Sequence, residues 1–198
     1  MGVAPKSNGE CMQHRTKLDY LLAESFKELV VKTPIEKITI KEITDLAGVI
    51  RPTFYNHFQD KYELLEWIIR TELVEPMEPL IQKGLFSEAL LLLFNTALDM
   101  KEFCIHAAKM EGQNSFESIV NNCIKEILCT GISSLIKERN FQHAWITPEL
   151  IAEYYAQSMT FVMMKWIRSG MIVSPEEMAE IYEYIVSRSL MEIISRIN

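Results

Sequence analysis

The chain has 198 residues, of which 48% are hydrophobic, and a net charge of −7. This composition supplies a core for one domain or two small ones and excludes a disordered chain. Glycine and proline are few, at seven each, and apolar residues do not alternate with polar ones, so we expect an all-α protein. No apolar run is long enough to cross a bilayer and no apolar leader begins the chain, which predicts a soluble, cytoplasmic protein with no membrane partner.

The N-terminal region is expected to hold a tail followed by one helix. Residues 1–10 are small and polar and show no periodicity, which predicts a flexible tail. From about Gln13 to Val31, apolar residues recur three and four positions apart, a spacing typical of an amphipathic helix. Pro34 follows and excludes further helix. The apolar face of this helix is predicted to brace the short helices that come next.

The following stretch contains the start and stop signals of two short helices. Thr39 and Glu42 stand three residues apart, as in a capping box, where each side chain accepts a backbone N–H of the other residue. Gly48 suits the left-handed conformation of a tight turn between helices. Pro52 suits the first turn of a helix, where its missing N–H has no partner to lose. Together with the preceding helix, this order predicts a three-helix helix-turn-helix domain over residues 11–59.

The second short helix, expected to end near Phe58, presents a polar face. Phe54 and Phe58 are four residues apart, so both are predicted to face inward. Five polar side chains are then left facing outward: Arg51, Thr53, Tyr55, Asn56 and His57. This mixture of donors and acceptors suits the phosphate oxygens and base edges of duplex DNA. Asp60 is expected to cap the next helix, with Glu63 completing a second capping box and Lys61 offering a further phosphate contact.

These residues resemble a known family. The run TFYNHFQDKYELL at residues 53–65, preceded by TIKEITDLAGV at residues 39–49, is similar to the DNA-binding domain of TetR/AcrR transcriptional regulators. By that resemblance, bases are read by Arg51, Thr53 and Asn56, and the DNA backbone is held by Tyr55, His57, Lys61, Thr39 and Lys41. The chain departs from the pattern at Ile50, a position that is often polar in the family. Residues 62–68 also resemble the branch that includes dihydroxyacetone-kinase regulators.

The negative net charge is unevenly distributed. Residues 1–61 hold nine Lys and Arg against eight Asp and Glu, which leaves eleven against nineteen in residues 62–198. The acidic excess therefore lies in the second part of the chain. A local positive face is enough for phosphate contacts, and we expect it to be formed by Lys41, Arg51 and Lys61 with Lys17 or Arg15.

Residues 60–198 are predicted to form a helical regulatory and dimerisation domain. A long helix is expected to connect the two domains from Asp60 to Pro76. Two helices are expected between Gly84 and Met110 with a break near residues 99–101, and one from about residue 115 to 139, loosened at Gly131. Residues 140–145 are expected to be a connector. The first of two final helices is expected to begin at Thr147–Pro148 and to end at Ser169, before Gly170. The second is expected to begin at Ser174–Pro175, with Glu177 completing a capping box, and to run to the C-terminus.

The last two helices carry apolar residues on more than one side, which indicates two packing partners for each helix. We therefore expect a homodimer in which these helices form a four-helix interface around a two-fold axis. The resemblance implies the same use of the last two helices. The alternative is a thicker core in a monomer. A dimer is favoured because a single recognition helix rarely supplies enough contact for specific binding.

Two modes of control remain open for such a regulator. A small hydrophobic effector would be lined by some of Trp67, Phe103, His106, Phe116, Cys123, Tyr155, Met159 and Trp166. At these spacings, however, aromatic residues and methionines are more often plain core. If the second domain has no cavity, a partner protein docking on its acidic surface becomes the favoured alternative.

Enzymatic and metal-binding readings find no support in the sequence. It contains no Glu-x-x-His pairs for a two-metal site, no glycine-rich phosphate loop, no HExxH and no GxSxG. We therefore predict no catalytic residues, no metal and no cofactor. The four cysteines lack CxxC spacing and sit mostly in apolar surroundings, so we interpret them as buried small hydrophobes in a reducing compartment.

Overall fold

The computed structural model describes residues 16–112, 114–135, 143 and 145–188. The α-helices of this part are α1 (Lys17–Lys32), α2 (Ile40–Ala47), α3 (Arg51–Tyr55), α4 (Lys61–Ile68), α5 (Glu78–Gln82), α6 (Phe86–Asp99), α7 (Lys101–Ala107), α8 (Phe116–Leu135), α9 (Pro148–Arg168) and α10 (Pro175–Val186). The described residues include no strand, and the all-α prediction is confirmed. None of the helices in these ranges is long and apolar enough to cross a membrane. The expectations for the tail, Cys11, Arg15 and the 136–142 segment lie outside the described residues. The prediction that the last helix runs to the C-terminus is wrong, because α10 ends at Val186.

The three N-terminal helices have the order that the sequence predicted, with shifted ends. Helix α1 begins after Thr16, which forms a capping box with Asp19, and it ends at Lys32 rather than Val31. Helix α3 is shorter than predicted and ends at Tyr55. Its last turn closes because the N–H groups of His57 and Phe58 both donate to the carbonyl of Phe54, at 2.9 Å. The chain therefore turns before it reaches the start of α4.

The connection between the two halves is not the single α-helix that we expected. Helix α4 ends at Ile68 and continues as a π-helix over Ile69–Val74 and a 3-10 turn over Glu75–Met77. Pro76 has no N–H to donate to the carbonyl four residues earlier, so regular α-helix cannot pass through this point. Pro79 then lies in the first turn of α5, where a proline is tolerated.

The helices of the second half follow the predicted boundaries closely. Helices α6 and α7 are separated at Met100, inside the expected break. Thr147 caps α9 by accepting the N–H of Leu150, and Ser174 caps α10 by accepting the N–H of Glu177. The predicted capping box at α10 is incomplete, because only this first bond forms. Helix α9 ends at Arg168 and is followed by Gly170, whose φ of +87° places it in the left-handed region.

A continuous apolar core extends from α1 to α10. In the N-terminal part it holds Phe26, Ile43 and Phe54, each with no exposed surface. In the second part α9 packs mainly on α8, and α10 packs mainly on α6. The division between residues 59 and 60 stays a prediction, because buried side chains bridge it.

Gly131 has a different role from the one we expected. Helix α8 passes through this residue without interruption, so the prediction of a loosened helix is wrong. A Cβ at Gly131 would lie 2.3 Å from Cγ2 of Ile81 in α5. The glycine therefore allows α5 to approach α8 closely, where any side chain would overlap its neighbour.

Gly131→Ala is expected to destabilise the protein by about 1–3 kcal/mol through overpacking. Alanine offsets this by about 1 kcal/mol through its higher helix propensity, so we expect a net loss of up to about 2 kcal/mol. Urea denaturation followed by circular dichroism measures the change, with Thr130→Ala, at an exposed position of the same helix, as the control. In an Ile81→Ala background the same substitution should become neutral or stabilising. A destabilisation that persists there would refute the steric explanation.

Candidate functional site

The turn between α2 and α3 is built by local backbone chemistry. Thr39 Oγ1 accepts the N–H of Glu42 at 3.2 Å, and the Glu42 carboxylate accepts the N–H of Thr39 at 2.8 Å. The predicted capping box is therefore present, and these bonds from Thr39 lower the pKa of Glu42. Gly48 ends α2 with a φ of +69°, as expected. These two features fix the angle at which the chain enters α3.

Helix α3 lies on the core with one face and presents the other to solvent. Phe54 and Phe58 are buried, with ring centroids 5.9 Å apart, as predicted. Of the predicted DNA-contacting residues on this stretch, three are exposed, namely Arg51, Tyr55 and Asn56, while Thr53 is half-buried. Thr39 and Lys41 at the start of α2 are exposed as well. A polar face with cationic, phenolic and amide groups is thus available to a partner of complementary chemistry.

His57 was predicted to face outward, but the structure turns it towards α1. Its Nδ1 lies 2.7 Å from Oδ1 of Asp19, and its side chain is only 23% exposed. The other carboxylate oxygen of Asp19 accepts the backbone N–H of Thr16 at 2.6 Å and its hydroxyl at 2.9 Å. One buried carboxylate therefore starts α1 and holds the segment that follows α3. We infer that His57 positions α3, and its predicted phosphate contact remains untested.

Asp19→Ala is expected to cost about 1–3 kcal/mol, because it removes the carboxylate half of the α1 capping box and leaves the His57 imidazole without its partner. It should also weaken DNA binding to all duplexes alike. Glu42→Ala is the matched control, since Glu42 has the same place in the α2 capping box and its carboxylate accepts hydrogen bonds from Thr39 at the start of its own helix. Denaturation and fluorescence anisotropy measure the two effects. Equal losses in both variants would show that the link to His57 contributes nothing.

Lys61 also has partners inside the protein. Its Nζ donates to the carbonyls of Glu36 and Ile38, at 2.8 Å each, and lies 5.4 Å from the centre of the Tyr62 ring. Burial lowers the pKa of Lys61, while the carboxylates of Glu36 and Asp60 oppose that effect. Lys61 therefore ties the start of α4 to the linker before α2, and a phosphate contact by it remains a prediction.

The cap of α4 differs in one detail from the expected capping box. Asp60 accepts the N–H groups of Tyr62 and Glu63, as predicted. The Glu63 carboxylate, however, accepts the N–H of Gln59 rather than that of Asp60. The capping box at this position is therefore incomplete, although the helix start itself is where we expected it.

The eight residues that were candidates for an effector site do not surround one common space. Trp67 packs edge-on against Tyr20 and Phe58, at the base of the N-terminal helices. Phe103 packs against Phe116, and Trp166 packs on Phe94 while its indole donates to the carbonyl of Val173. His106 bonds to the carbonyl of Glu102 in its own helix. These residues pack in the core or bond within their own helix, and their predicted contact with an effector stays a prediction.

A cavity of about 600 Å³ lies instead between the α5–α6 region, α8, α9 and α10. Of the predicted residues, only Tyr155 and Met159 line it. Its inner wall is apolar and includes Met77, Ile81, Leu90 and Leu128. Among the described lining residues the only charged one is the exposed Glu183. This volume and lining suit a small apolar molecule.

The cavity adjoins the segment that connects it to the N-terminal helices. Met77 and Ile81 line the cavity and follow directly on the π-helical residues. On the other side of that segment, Lys27 of α1 contacts Glu72 at 2.6 Å, with both side chains less than a fifth exposed. Burial disfavours the charge on Lys27, but its bonds to Glu24 and Glu72 outweigh that effect and raise its pKa. One ion pair therefore joins α1 to the chain segment that leads into the cavity wall.

Two buried cysteines lie near these elements without forming a reactive site. Burial raises the pKa of Cys104 and of Cys123 to about 12. Both thiols are therefore protonated at neutral pH and act as apolar packing groups, in line with our interpretation of the cysteines. Within the described ranges, no cluster of three His, Cys, Asp or Glu side chains is arranged to hold a metal.

Two features of this site were not anticipated. Asp19 was not singled out, although the Thr16–Asp19 spacing is the same capping signal that identified Thr39 and Glu42. The aliphatic lining of the cavity left no signal that separates it from ordinary core. Aromatic spacing directed the prediction to residues that pack against each other.

Comparison with known sequences agrees with this architecture. A family profile described as "Bacterial regulatory proteins, tetR family" matches residues 27–68, and one described as "Transcriptional regulator C-terminal region", of the same family, matches residues 86–188. The second match alone covers more than half of the chain. The chain belongs to the TetR family of transcriptional regulators. The predicted resemblance is thereby confirmed, and the TetR family is one of DNA-binding regulators rather than enzymes.

Among TetR relatives, the activator DhaS of the dhaKLM operon of Lactococcus lactis is 36% identical over 55 residues, 28% of this chain and 29% of that protein. The structure of a dihydroxyacetone kinase operon activator DhaS aligns with 86% of this chain over 93% of its own length, with 23% identity and a TM-score of 0.59. The sequence match thus spans less than a third of the length of that relative. It agrees with the resemblance to this branch that residues 62–68 indicated.

Two further TetR-like structures share the fold. NalD of Pseudomonas aeruginosa, a repressor of a multidrug efflux pump, is 17% identical with a TM-score of 0.63 and covers 87% of this chain and 94% of its own. FadR of Bacillus subtilis, solved with stearoyl-CoA, is 13% identical with a TM-score of 0.62 and covers 84% and 96%. At these identities the likeness establishes the fold and not the ligand.

Proposed function

We propose that this TetR regulator is a cytoplasmic homodimer that binds a roughly palindromic operator and is controlled by a small hydrophobic effector in the cavity beside α8. The observation that carries the proposal is the exposed polar face of α3 above the buried Phe54 and Phe58. In helix-turn-helix proteins the second helix enters the major groove, and dimers place two such helices about one DNA turn apart.

The proposed DNA contacts are divided between base reading and backbone binding. Arg51, Thr53 and Asn56 are assigned to bases, because guanidinium and amide groups form bidentate bonds with guanine and adenine. Tyr55 and Lys41, both exposed, are assigned to phosphates. Thr39 is assigned to the backbone at the start of α2. His57 and Lys61 are assigned to stabilising the packing of the N-terminal helices. Any contact of theirs with phosphate would add to this structural role.

Exposed apolar side chains on α9 and α10 support the homodimer. Tyr154 and Phe161 are 66% and 64% exposed, and they stand seven residues apart on α9. Ile181 and Ile185 form a second exposed pair, four apart on α10. Helical residues at these spacings share one face, so each helix offers an apolar stripe to a partner. A two-fold pair of these helices would bury all four residues.

The cavity supports control by a ligand over control by a protein partner. The protein alternative depends on a second domain without a cavity, and the described residues line one of about 600 Å³ beside α8. The described lining carries no Lys or Arg, so a neutral or cationic amphiphile suits it better than a carboxylate or acyl phosphate. A ligand against Met77 and Ile81 would act on the connecting segment, and through it on the separation of the two α3 helices.

Selection from a random duplex library at low salt tests the DNA-binding part. We expect enrichment of an inverted repeat, and light scattering should give twice the monomer mass. The complex should weaken steeply as salt rises. Failure to enrich any sequence, with a monomeric protein, would refute the proposal.

Three dodecyl probes test the effector part on the selected operator. Dodecanol and dodecyltrimethylammonium are expected to raise the melting temperature and change DNA affinity, whereas dodecanoate should have a weaker effect. Met159→Trp, which fills the cavity, should abolish the response. Thr130→Trp, at an exposed position of α8 outside the cavity lining and the proposed dimer faces, is the control and should retain it. A response that survives Met159→Trp would place the effector elsewhere.

A further inference from the structure

Ile50 is the apolar exception on the face assigned to DNA. It directly precedes α3 and is 68% exposed, while its neighbour Arg51 and, one turn on, Tyr55 are exposed polar residues. A single exposed isoleucine is common on protein surfaces and carries no meaning alone. Its position at the N-cap of α3 supplies a second observation.

An isoleucine at this N-cap is unfavourable for folding. Ile50 has the extended backbone of an N-cap residue, with φ −94° and ψ 153°, but no side-chain bond caps the helix. Serine, threonine, asparagine or aspartate would accept a backbone N–H there and stabilise the helix. Such side chains cap other helices, at Thr16, Thr39, Asp60, Thr147 and Ser174. Apolar residues leave α5, α6 and α7 uncapped as well, but Met77 is buried and Leu85 is 38% exposed, against 68% for Ile50. Within the described chain, Ile50 receives no compensating burial.

A residue that breaks a local stability rule without gain in the folded protein points to an external contact. The N-terminal residues of a recognition helix are the ones that reach base edges in the major groove. Thymine is the base that presents a methyl group there, and apolar side chains recognise it by contact. An exposed isoleucine next to Arg51 has the chemistry and the place for this contact.

We propose that Ile50 is a specificity-determining residue that packs on the C5-methyl group of a thymine in each operator half-site. This inference rests on the proposed DNA binding by α3. Ile50 makes no hydrogen bond in this role, so it adds preference at one base pair without altering phosphate contacts. Its exposed surface would become buried when the operator binds.

The test uses the full-length protein and the duplex selected from the random library, with each thymine replaced in turn by deoxyuridine, which lacks only the methyl group. We expect one thymine per half-site at which uracil weakens binding about fourfold, the effect of removing one methyl-sized apolar contact. In Ile50→Ser the same replacement should have no effect, because the partner of the methyl group is gone. Ile50→Val should keep most of the sensitivity.

Stability and salt dependence separate this role from a structural one. Ile50→Ser supplies an N-cap, so its melting temperature should be unchanged or raised by a few degrees. Its binding should keep the wild-type salt slope, since the phosphate contacts remain. A uracil effect of equal size in wild type and Ile50→Ser, or no sensitive thymine at all, would overturn the inference. Failure of the wild type to select any duplex would refute the proposed function instead.

Discussion

Arg51→Ala is expected to lower operator affinity by about 1–3 kcal/mol for each half-site, and so on the order of a hundredfold or more for a symmetric dimer. Arg51 is exposed in the first turn of α3, where a guanidinium can form two bonds to one guanine. The loss should fall on the selected operator far more than on an unrelated duplex. Fluorescence anisotropy with both duplexes at a fixed salt concentration measures the difference.

Lys83→Ala is the matched control, because it also removes one positive charge from an exposed position but lies beyond α5. We expect it to leave both affinities nearly unchanged. If Arg51→Ala weakened the two duplexes equally, Arg51 would be a phosphate contact and not a base contact. If neither duplex were affected, α3 would not be the recognition helix.

Phe54→Ala is expected to cost about 3–5 kcal/mol in the free energy of unfolding. The side chain has no exposed surface and packs against both Tyr55 and Phe58 in a small core, which cannot collapse around a cavity of this size. The loss should fall mainly on the N-terminal helices. Urea denaturation measures the loss, and in a Trp145→Phe and Trp166→Phe background the fluorescence of Trp67, which packs edge-on against Phe58, assigns it to the N-terminal helices.

Tyr55→Ala separates the core from the exposed face of the same helix. Tyr55 is 56% exposed, so its loss should change stability little while weakening binding to every duplex. The two neighbouring substitutions should thus have opposite profiles, one in folding and one in binding. Similar stability losses in both variants would mean that α3 is seated differently on the core.

The helix-turn-helix was predictable from sequence because its signals are local. The Thr39–Glu42 capping box, the left-handed Gly48 and the burial of Phe54 and Phe58 each depend on residues within four positions of one another. Local preferences of this kind agree with the packing of the folded protein, so they can be identified without it. The same kind of capping signal predicted the starts of α9 and α10 at Thr147 and Ser174.

Features that depend on distant residues were not predictable. Asp19 and His57 are 38 positions apart, and nothing in either neighbourhood indicates that they meet. The effector residues were sought among aromatics, but Phe103 and Trp166 found aromatic partners inside the core, and the cavity is lined mainly by aliphatic side chains. Helical periodicity indicates that a face is buried. It does not indicate whether the space opposite is filled.

The π-helical stretch Ile69–Val74 limits how the two halves of the protein can move relative to each other. A π turn contains one residue more than an α turn, and it can be lost only by re-pairing the backbone by a whole residue. Each such step advances the chain by about 1.5 Å and rotates it by about 100°. A register change in this stretch is therefore a discrete jump. Positions of the N-terminal helices between two such registers would have to come from bending elsewhere in the chain.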